Sequence, residues 1–407
     1  MSRYLPYSPD QGSLVPLHVG EVLGSDHLCF FVHRVVERLD LRRYTEAYGA
    51  EGGLLYHPSL MLKVWLYAYS LGVTSSRRLE RRIREDLAFR YLAGGAEPDY
   101  WALNAFRRRH GRALNDSFTQ VLELARQMGL RQMGTVAIDA TRIKASASPD
   151  KVVKQRYVKT RAMRRARGER LEARLKVRRW QQACDADDPN ENAGSRVDAP
   201  LDAVEQMPVT LEKLPRPMRE KTVRRSVTDP DARFLRARGG RFLLGYTAEI
   251  GVSNDHLIVA QRVTQQATDN ASLDPMVDLI EATCGEPPAT VVADSGYYSN
   301  WNVERMEQRG VDAYVPDSNL ARELNLGHQA DDRRATDPRH IRMRTRMRTE
   351  RGTSLYRRRK AIVEPVFAVL KEQRNLNHFR MRSLDKVAIE FTLATLAYNI
   401  TRLHKRR

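Results

Sequence analysis

The sequence has little cysteine and no long hydrophobic run, and both absences narrow what the chain can be. Its three cysteines, Cys29, Cys184 and Cys284, lie far apart and form no C-x-x-C pair. That spacing argues against a zinc site and a disulfide framework, and it fits a reducing cytoplasm. No apolar run approaches the roughly 20 residues that cross a bilayer, and the N-terminus lacks a signal-peptide pattern. We expect a cytoplasmic protein without a membrane segment.

The sequence also lacks internal repeats, and its histidines and serines do not form the arrangements that histidine-metal or serine-nucleophile chemistry needs. What it has in excess is positive charge. Its 69 Lys and Arg residues outnumber 50 Asp and Glu, for a net charge of +19 and a pI near 10.0. This balance indicates a polyanion such as nucleic acid as partner, although a generally basic, solvated surface would give the same composition.

The positive charge is concentrated in two segments. Residues 151–179 hold thirteen Lys and Arg against two acids, and residues 331–360 hold twelve against four. Like charges at this density repel one another unless an anion neutralises them, and phosphate groups are the expected anion.

Helical patterns run through residues 1–125. In one segment Leu79, Ile83, Leu87 and Tyr91 recur at four-residue spacing, opposite a basic face. Gly94 and the glycine after it then predict the end of that helix. We expect an all-α N-terminal domain over residues 1–125, which either binds DNA or only packs on the rest of the chain.

The remaining residues, 126–407, alternate between strand and helix patterns. Strands are predicted at 135–139, 243–252, 256–263, 289–294 and 312–316, with helices after 270, 299 and 360. This order predicts an α/β domain with a mixed sheet covered by helices. Residues of about 150–240 hold too few apolar side chains for a core and predict a basic helical insert. A basic loop is expected at about 317–356.

Three acids occupy comparable positions in this predicted core. Asp139 and Asp294 each stand at the last position of an apolar strand, where open α/β sheets bind ligands. Glu364 lies in a helix next to its apolar stripe, where an acid is costly unless it is paired or bound to a ligand. Four rival acids, in turn-like contexts or at the start of a strand, rank lower: Asp229, Asp231, Asp269 and Asp312.

Three convergent carboxylates in a basic protein suggest a magnesium site. Mg²⁺ prefers oxygen ligands, and two such ions about 3.5–4 Å apart can stabilise the attacking and leaving oxygens of a phosphodiester. Each acid also has an ordinary explanation: Asp294 as a helix cap, Asp139 as a strand end, and Glu364 as a surface residue. It is less favoured that all three acids have only these ordinary roles than that they form one site.

Five segments of the sequence, in this order, resemble bacterial insertion-sequence transposases of the DDE class, in particular the group usually numbered eleven eighty-two. The first is HPSLMLKVWLYAYSLGVTSSRRLE together with FRYLAGGAEPDYWALNAFRRRH, which resembles the N-terminal helical domain of that group. The others are AIDATRIKASAS around Asp139, TDPDAR at 228–233, VVADSGYYS around Asp294, and YRRRKAIVEPVFAVLK around Glu364.

The resemblance implies an RNase H-like core and a Mg²⁺-dependent enzyme, with Mn²⁺ as a substitute. Its catalytic and metal-binding residues would be Asp139, Asp294 and Glu364. Water would cleave a phosphodiester at the element's end, and the freed 3′-hydroxyl would attack target DNA. The partners implied are double-stranded DNA, as element ends and target, and a second copy of the chain on that DNA, at the nucleoid.

The resemblance also implies DNA contacts from Tyr356, Arg359, Lys360 and Lys371. Two departures stand out: Tyr356 lies eight residues before Glu364 where the family pattern has seven, and the arginine position holds Lys360. Trp180, in the insert, could stack on a flipped base or simply pack. Two other functions stay open: a metal-dependent RNase H-like nuclease or resolvase, and a catalytically inactive DNA-binding protein descended from a transposase.

Overall fold

The structure is a computed structural model, and it describes residues 19–46, 55–130, 134–157, 221–237 and 240–406. It divides into two compact units. One comprises Met1–Lys151 with Ser226–Arg407, and the other is Val152–Arg225. The predicted helix in the basic insert, including Trp180, falls in residues 158–220 and lies outside the described residues.

The described chain before the first strand is helical, as the sequence predicts. Its helices are α1 (Val19–Val22), α2 (Leu28–Glu37), α3 (Arg42–Thr45), α4 (Pro58–Ser70), α5 (Ser76–Glu85), α6 (Leu87–Ala93), α7 (Tyr100–Arg109) and α8 (Gly111–Gln127). Several begin at polar caps of the expected type: the Asp99 carboxylate, for example, accepts a hydrogen bond from the backbone of Ala102 at the start of α7.

The strands form a mixed sheet and a separate two-stranded ladder. They are β1 (Thr135–Lys144), β2 (Val152–Tyr157), β3 (Lys221–Ser226), β4 (Arg233–Arg236), β5 (Phe242–Ser253), β6 (Ile258–Thr264), β7 (Thr290–Ala293) and β8 (Asp312–Tyr314). The main sheet has the order β4–β5–β1–β7–β8, with β6 also on β5, while β2 pairs with β3. Strand β5 runs antiparallel to β1, β4 and β6, whereas β1, β7 and β8 are parallel. This mixed sheet confirms the predicted α/β core of RNase H-like type.

Six further helices complete the described chain. They are α9 (Leu273–Cys284), α10 (Asn300–Gln308), α11 (Ser318–Leu326), α12 (Pro338–Arg348), α13 (Glu350–Ala368) and α14 (Leu384–Lys405). A short 3₁₀ turn, Ser295–Tyr297, follows β7, and a π-helical segment, Val369–Gln373, extends α13.

The C-terminal helix α14 joins the N-terminal helices to the sheet. It packs on α4 and α8 on one side and on β6 on the other, and Phe391 and Leu396 on it are completely buried. Asn399 of α14 satisfies both backbone groups of Ile258 on β6, accepting from the nitrogen at 2.9 Å and donating to the oxygen at 2.8 Å.

The structure corrects two boundaries. The strand through Asp139 does not end there, because β1 continues to Lys144 and pairs with β5 from Val136↔Ser253 to Lys144↔Gly245. The residues after Asp139 continue the same strand, and its C-terminal half carries polar side chains. The predicted insert of about 150–240 is not helical at its described ends, which contain β2, β3 and β4.

The predicted basic loop at about 317–356 is wrong. This segment contains α11, α12 and the start of α13. Its arginines are neutralised by acids of neighbouring turns and helices: Arg344 bonds to both carboxylate oxygens of Asp317, at 2.8 and 3.0 Å, and Arg348 bonds to Glu323 at 2.9 Å. Because arginine is a good helix former and these charges are paired, the segment folds as helices.

Candidate active site

The parallel ladder between β1 and β7 brings Asp139 and Asp294 together. The register runs from Thr135↔Thr290 to Ile138↔Ala293, and the next residue on each chain is one of the two acids. Neighbouring strands lie about 4.8 Å apart, so the two carboxylates are neighbours although Asp139 lies in mid-strand. The sequence predicts this meeting, but from an incorrect end of β1.

Asp294 also caps the turn that follows its strand. Its Oδ1 accepts a hydrogen bond from the backbone nitrogen of Gly296 at 2.8 Å, so the ordinary cap explanation holds for one carboxylate oxygen. A Cβ added at Gly296 would lie 3.0 Å from Asp294 Oδ1 and 3.4 Å from Asp269 Oδ2. The absence of a side chain at Gly296 therefore lets the carboxylates of Asp294 and Asp269 approach the same point.

Asp139 is held between a like charge and an opposite one. Its Oδ2 accepts a hydrogen bond from Arg359 Nη1 at 3.1 Å, and its Oδ1 accepts one from the backbone of Ala140 at 2.8 Å. Burial raises the pKa of Asp139 to about 6; the guanidinium of Arg359 opposes this rise, and the charge of Asp294 adds to it. A carboxyl group in this state gains from any further cation placed beside it.

Two more acids lie close to this pair. Asp269, ranked low from the sequence, forms an ion pair with Arg142 at 3.2 Å. Burial raises the pKa of Asp269; Arg142 opposes the rise, and Asp294 and Glu249 add to it. Glu249 on β5 is completely buried and bonded to Arg262. The Arg142–Asp269 pair spans 127 positions of the chain, so no local pattern in the sequence could have revealed it.

Tyr297 is a buried residue whose hydroxyl feels the charge of all four acids. Its side chain is completely buried, and its hydroxyl has no hydrogen-bond partner among the described residues. Burial raises the pKa of Tyr297 well above its ordinary value, and the charges of Glu249, Asp269, Asp139 and Asp294 add to the rise. The phenol therefore stays neutral and protonated near neutral pH.

Glu364 lies on α13, the helix that packs across β1 and β7. Arg359, Val363 and Val366 of this helix are buried, whereas Glu364 is exposed. The helix therefore reaches Asp139 through Arg359, and Glu364 is not part of the contacts around the two aspartates. Of the three predicted acids, the structure brings two together.

The other predicted contacts divide in the same way. Tyr356 is buried, with the guanidinium of Arg359 5.7 Å from its ring centre. Lys360 is exposed, and Lys371 Nζ donates to the backbone oxygen of Arg142 at 3.4 Å. Tyr356 supports Arg359 in this arrangement, and Lys371 lies beside β1.

Three of the four rival acids have structural partners elsewhere. Asp229 is completely buried and accepts from the Tyr246 hydroxyl at 2.8 Å and from the Ser383 backbone at 3.2 Å. Asp231 accepts from the backbone of Leu384, the first residue of α14, at 3.1 Å. The TDPDAR segment thus caps the N-terminus of α14, which lies more than 150 positions later in the sequence. Asp312 pairs with Arg346 at 2.9 Å and with Arg351 at 3.2 Å.

The donor chemistry of Asp139 and Asp294 suits a hard divalent cation, which prefers carboxylate oxygens. Burial is the main cause of the raised pKa of Asp139, and the neighbouring charge of Asp294 adds to it. The geometry falls short of a full cage, since the described residues contain no group of three or more His, Cys, Asp or Glu side chains arranged to hold a metal ion.

Two protein-family models match parts of the chain. The model described as "Transposase DDE domain" matches residues 222–400, and the one described as "Transposase domain (DUF772)" matches residues 18–109. The chain belongs to the DDE transposase family. The first match contains Asp294 and Glu364, and Asp139 lies in the stretch between the two matches. The group number inferred from the sequence stays a prediction.

No curated protein and no solved structure matches the chain. No helix in the described part of the transposase is both long and apolar enough to cross a membrane. Membership of a transposase family implies that the chain acts on DNA.

Proposed function

We propose that this transposase cleaves phosphodiester bonds at the ends of its own insertion sequence and joins the freed 3′-hydroxyl groups to target DNA. The observation that carries the proposal is the meeting of Asp139 and Asp294 at the end of the β1–β7 ladder. Helix α13, which packs across the same two strands, carries Arg359, Lys360 and Glu364. Carboxylates together with cations on a neighbouring helix are what an enzyme acting on a phosphodiester requires.

Asp139, Asp294 and Glu364 are the proposed catalytic acids and ligands of Mg²⁺ or Mn²⁺. Asp139 and Asp294 would hold the cation at the end of the β1–β7 ladder, and Glu364 on α13 would be the third ligand. When bound, the metal supplies charge neutralisation at the phosphate. Arg359, which donates to the Oδ2 of Asp139 at 3.1 Å, would hold that carboxylate in position for the cation.

The proposed DNA contacts near the acids come from cations on two segments. Lys360 is exposed on α13, and Lys371 lies on the π-helical segment beside β1. Their charges would hold the phosphate backbone in register without reading its sequence. Arg359 and Tyr356, being buried, would act by positioning Asp139 rather than by reaching into a groove.

The partners in this proposal are double-stranded DNA and a second copy of the chain. Two element ends must be cut and joined together, so a homodimer on DNA is proposed, and the protein would work at the nucleoid. The helical residues before β1, including the range 1–125 expected as a separate domain, would contribute DNA binding of their own.

A strand-transfer assay tests the proposal. The purified chain, Mg²⁺, a labelled duplex carrying the element's end and a supercoiled plasmid should give both a nicked end and a joined product. The Asp294→Asn variant should give neither while still binding the duplex, and that binding should weaken steeply with salt. Cutting without joining would indicate the nuclease alternative, and binding without cutting would indicate the inactive one.

A further inference from the structure

Helix α5 is unusual in how little of it is buried. Leu79 and Ile83 are its two buried residues. All five of its arginines are exposed: Arg77, Arg78, Arg81, Arg82 and Arg84. Arginines three and four positions apart share one side of a helix and repel one another, so this surface is unfavourable in isolation.

Acids neutralise part of this charge. Arg82 pairs with Asp86 at 3.4 Å, and Arg84 pairs with Glu80 at 3.1 Å. Arg78 and Arg81, three positions apart, have no ion-pair partner within the described part of the chain. The surface of α5 therefore keeps an excess of positive charge that an anion could neutralise.

Helix α7 presents a matching stripe. Trp101, Ala105 and Arg108 are exposed and stand at positions i, i+4 and i+7, on one face of the helix. The Trp101 side chain is 63% exposed. The Trp101 ring is therefore outside the core and accessible to a partner, next to an arginine and a small alanine on the same face.

The two helices form one surface. They pack on each other, and the Arg77 guanidinium of α5 lies 5.0 Å from the ring centre of Tyr100, the first residue of α7. The Tyr100 and Trp101 rings are 5.5 Å apart. The term "α5–α7 face" denotes the six residues of this surface: Arg77, Arg78, Arg81, Trp101, Ala105 and Arg108.

The α5–α7 face stands on a fixed base. On the opposite side of α7, the buried Arg107 donates to the Tyr69 hydroxyl at 2.9 Å and to the backbone oxygen of Thr74 at 3.0 Å. Its guanidinium also lies 4.5 Å from the ring centre of Trp65, whose indole nitrogen donates to the Leu103 oxygen of α7 at 3.0 Å. A helix anchored in this way holds its outer stripe at a defined position.

We infer that the α5–α7 face binds double-stranded DNA, with the stripe of α7 against a groove and the arginines of α5 on the phosphate backbone. The inference rests on the proposed function for the identity of that DNA, the element's end. The major groove is about 12 Å wide and admits one α-helix. The small Ala105 side chain, between Trp101 and Arg108 on the stripe, would let α7 approach the DNA closely. Arginine is suited to phosphate because its planar fork donates to two oxygens.

Fluorescence anisotropy with the full chain tests the inference, using a labelled duplex from the element's end and a scrambled duplex of the same composition, without metal. Arg78→Ala/Arg81→Ala should weaken binding to both duplexes about tenfold or more and lower the salt slope by about 2. Trp101→Ala should weaken binding to the end duplex about fivefold or more, and less for the scrambled one.

Arg42→Ala/Arg43→Ala on α3 is the matched control. These arginines are also exposed, and their loss removes the same charge. They lie on a different helix, α3, whose Tyr44 stacks on Phe106 at the buried side of α7. The control should bind within about twofold of wild type, and unfolding by urea should be unchanged in all variants. Equal losses in the control and the α5 variant, or wild-type binding by both face variants, would overturn the inference. So would loss of self-association by Trp101→Ala with DNA binding intact.

Failure of the proposed function gives a different result. If the wild-type chain binds the duplex through the α5–α7 face but neither cuts nor joins it, the inference stands and the proposed chemistry does not. Adding Asp294→Asn to each face variant separates the two further, because that change should leave the anisotropy values unaltered.

Discussion

Removing the charge of Asp294 should stabilise the metal-free protein. Asp294→Asn keeps the Oδ1 that caps Gly296 and removes the negative charge beside Asp139. Two carboxylates about 5 to 6 Å apart repel by about 3 kcal/mol at an effective dielectric constant of about 20. Because Arg359 already screens Asp139, we expect the free energy of unfolding to rise by about 1 to 2 kcal/mol at pH values above 6.

The gain should depend on pH in a defined direction. Folding raises the pKa of Asp139 to about 6 from an ordinary 3.8, so the folded state retains a proton that the unfolded state releases between these values. Stability from this group is therefore greatest in acid and falls as the pH rises through about 6. Asp294→Asn should reduce that fall, so its advantage over wild type should shrink once Asp139 is protonated.

Urea unfolding monitored by circular dichroism, with and without Mg²⁺, measures the effect. Added Mg²⁺ should stabilise the wild type by mass action and leave the variant unchanged. Asp312→Asn is the matched control, because that acid is paired with two arginines and its loss should give no gain. The electrostatic reasoning would be refuted if Asp294→Asn were no more stable than wild type above pH 6. It would also be refuted if the variant's advantage over wild type were as large in acid as above pH 6.

Two structural predictions follow from buried polar groups. Arg344→Leu should cost about 3 kcal/mol near neutral pH, measured by urea unfolding, because it strands a buried Asp317. Although burial acts to raise it, hydrogen bonds from Arg344 and His340 hold the pKa of Asp317 well below its ordinary value. The loss should therefore vanish in strong acid, and a pH-independent loss would contradict it. Tyr246→Phe should cost about 1 to 3 kcal/mol by leaving Asp229 short of a donor; wild-type stability would disprove that role.

The sequence was sufficient for the fold class because its signal is local. Apolar strands, helix caps and turn residues each act within a few positions, and they predicted the mixed sheet and the meeting of Asp139 with Asp294. It misplaced the end of β1 because the polar residues up to Lys144 are held by pairing with β5, about a hundred positions away. Hydrophobicity alone ends a strand where the apolar run ends.

The errors in the basic segments have a similar origin. Arg344 looks unneutralised in the sequence, yet its partner Asp317 lies 27 positions earlier. The same holds for Asp269, whose place beside Asp294 depends on Arg142 of β1. Acids and arginines paired across the fold leave no spacing pattern, so a list of candidate acids from sequence could include Asp269 but could not rank it.

The most direct test of the account is which third acid completes the site. Glu364→Gln, Asp269→Asn and the control Glu372→Gln, an exposed acid eight positions beyond Glu364, can be compared in the strand-transfer assay at equal DNA occupancy. We predict that Glu364→Gln lowers cleavage and joining about a hundredfold or more while Glu372→Gln retains both. Full activity of Glu364→Gln together with loss in Asp269→Asn would contradict the account and move the third acid to Asp269.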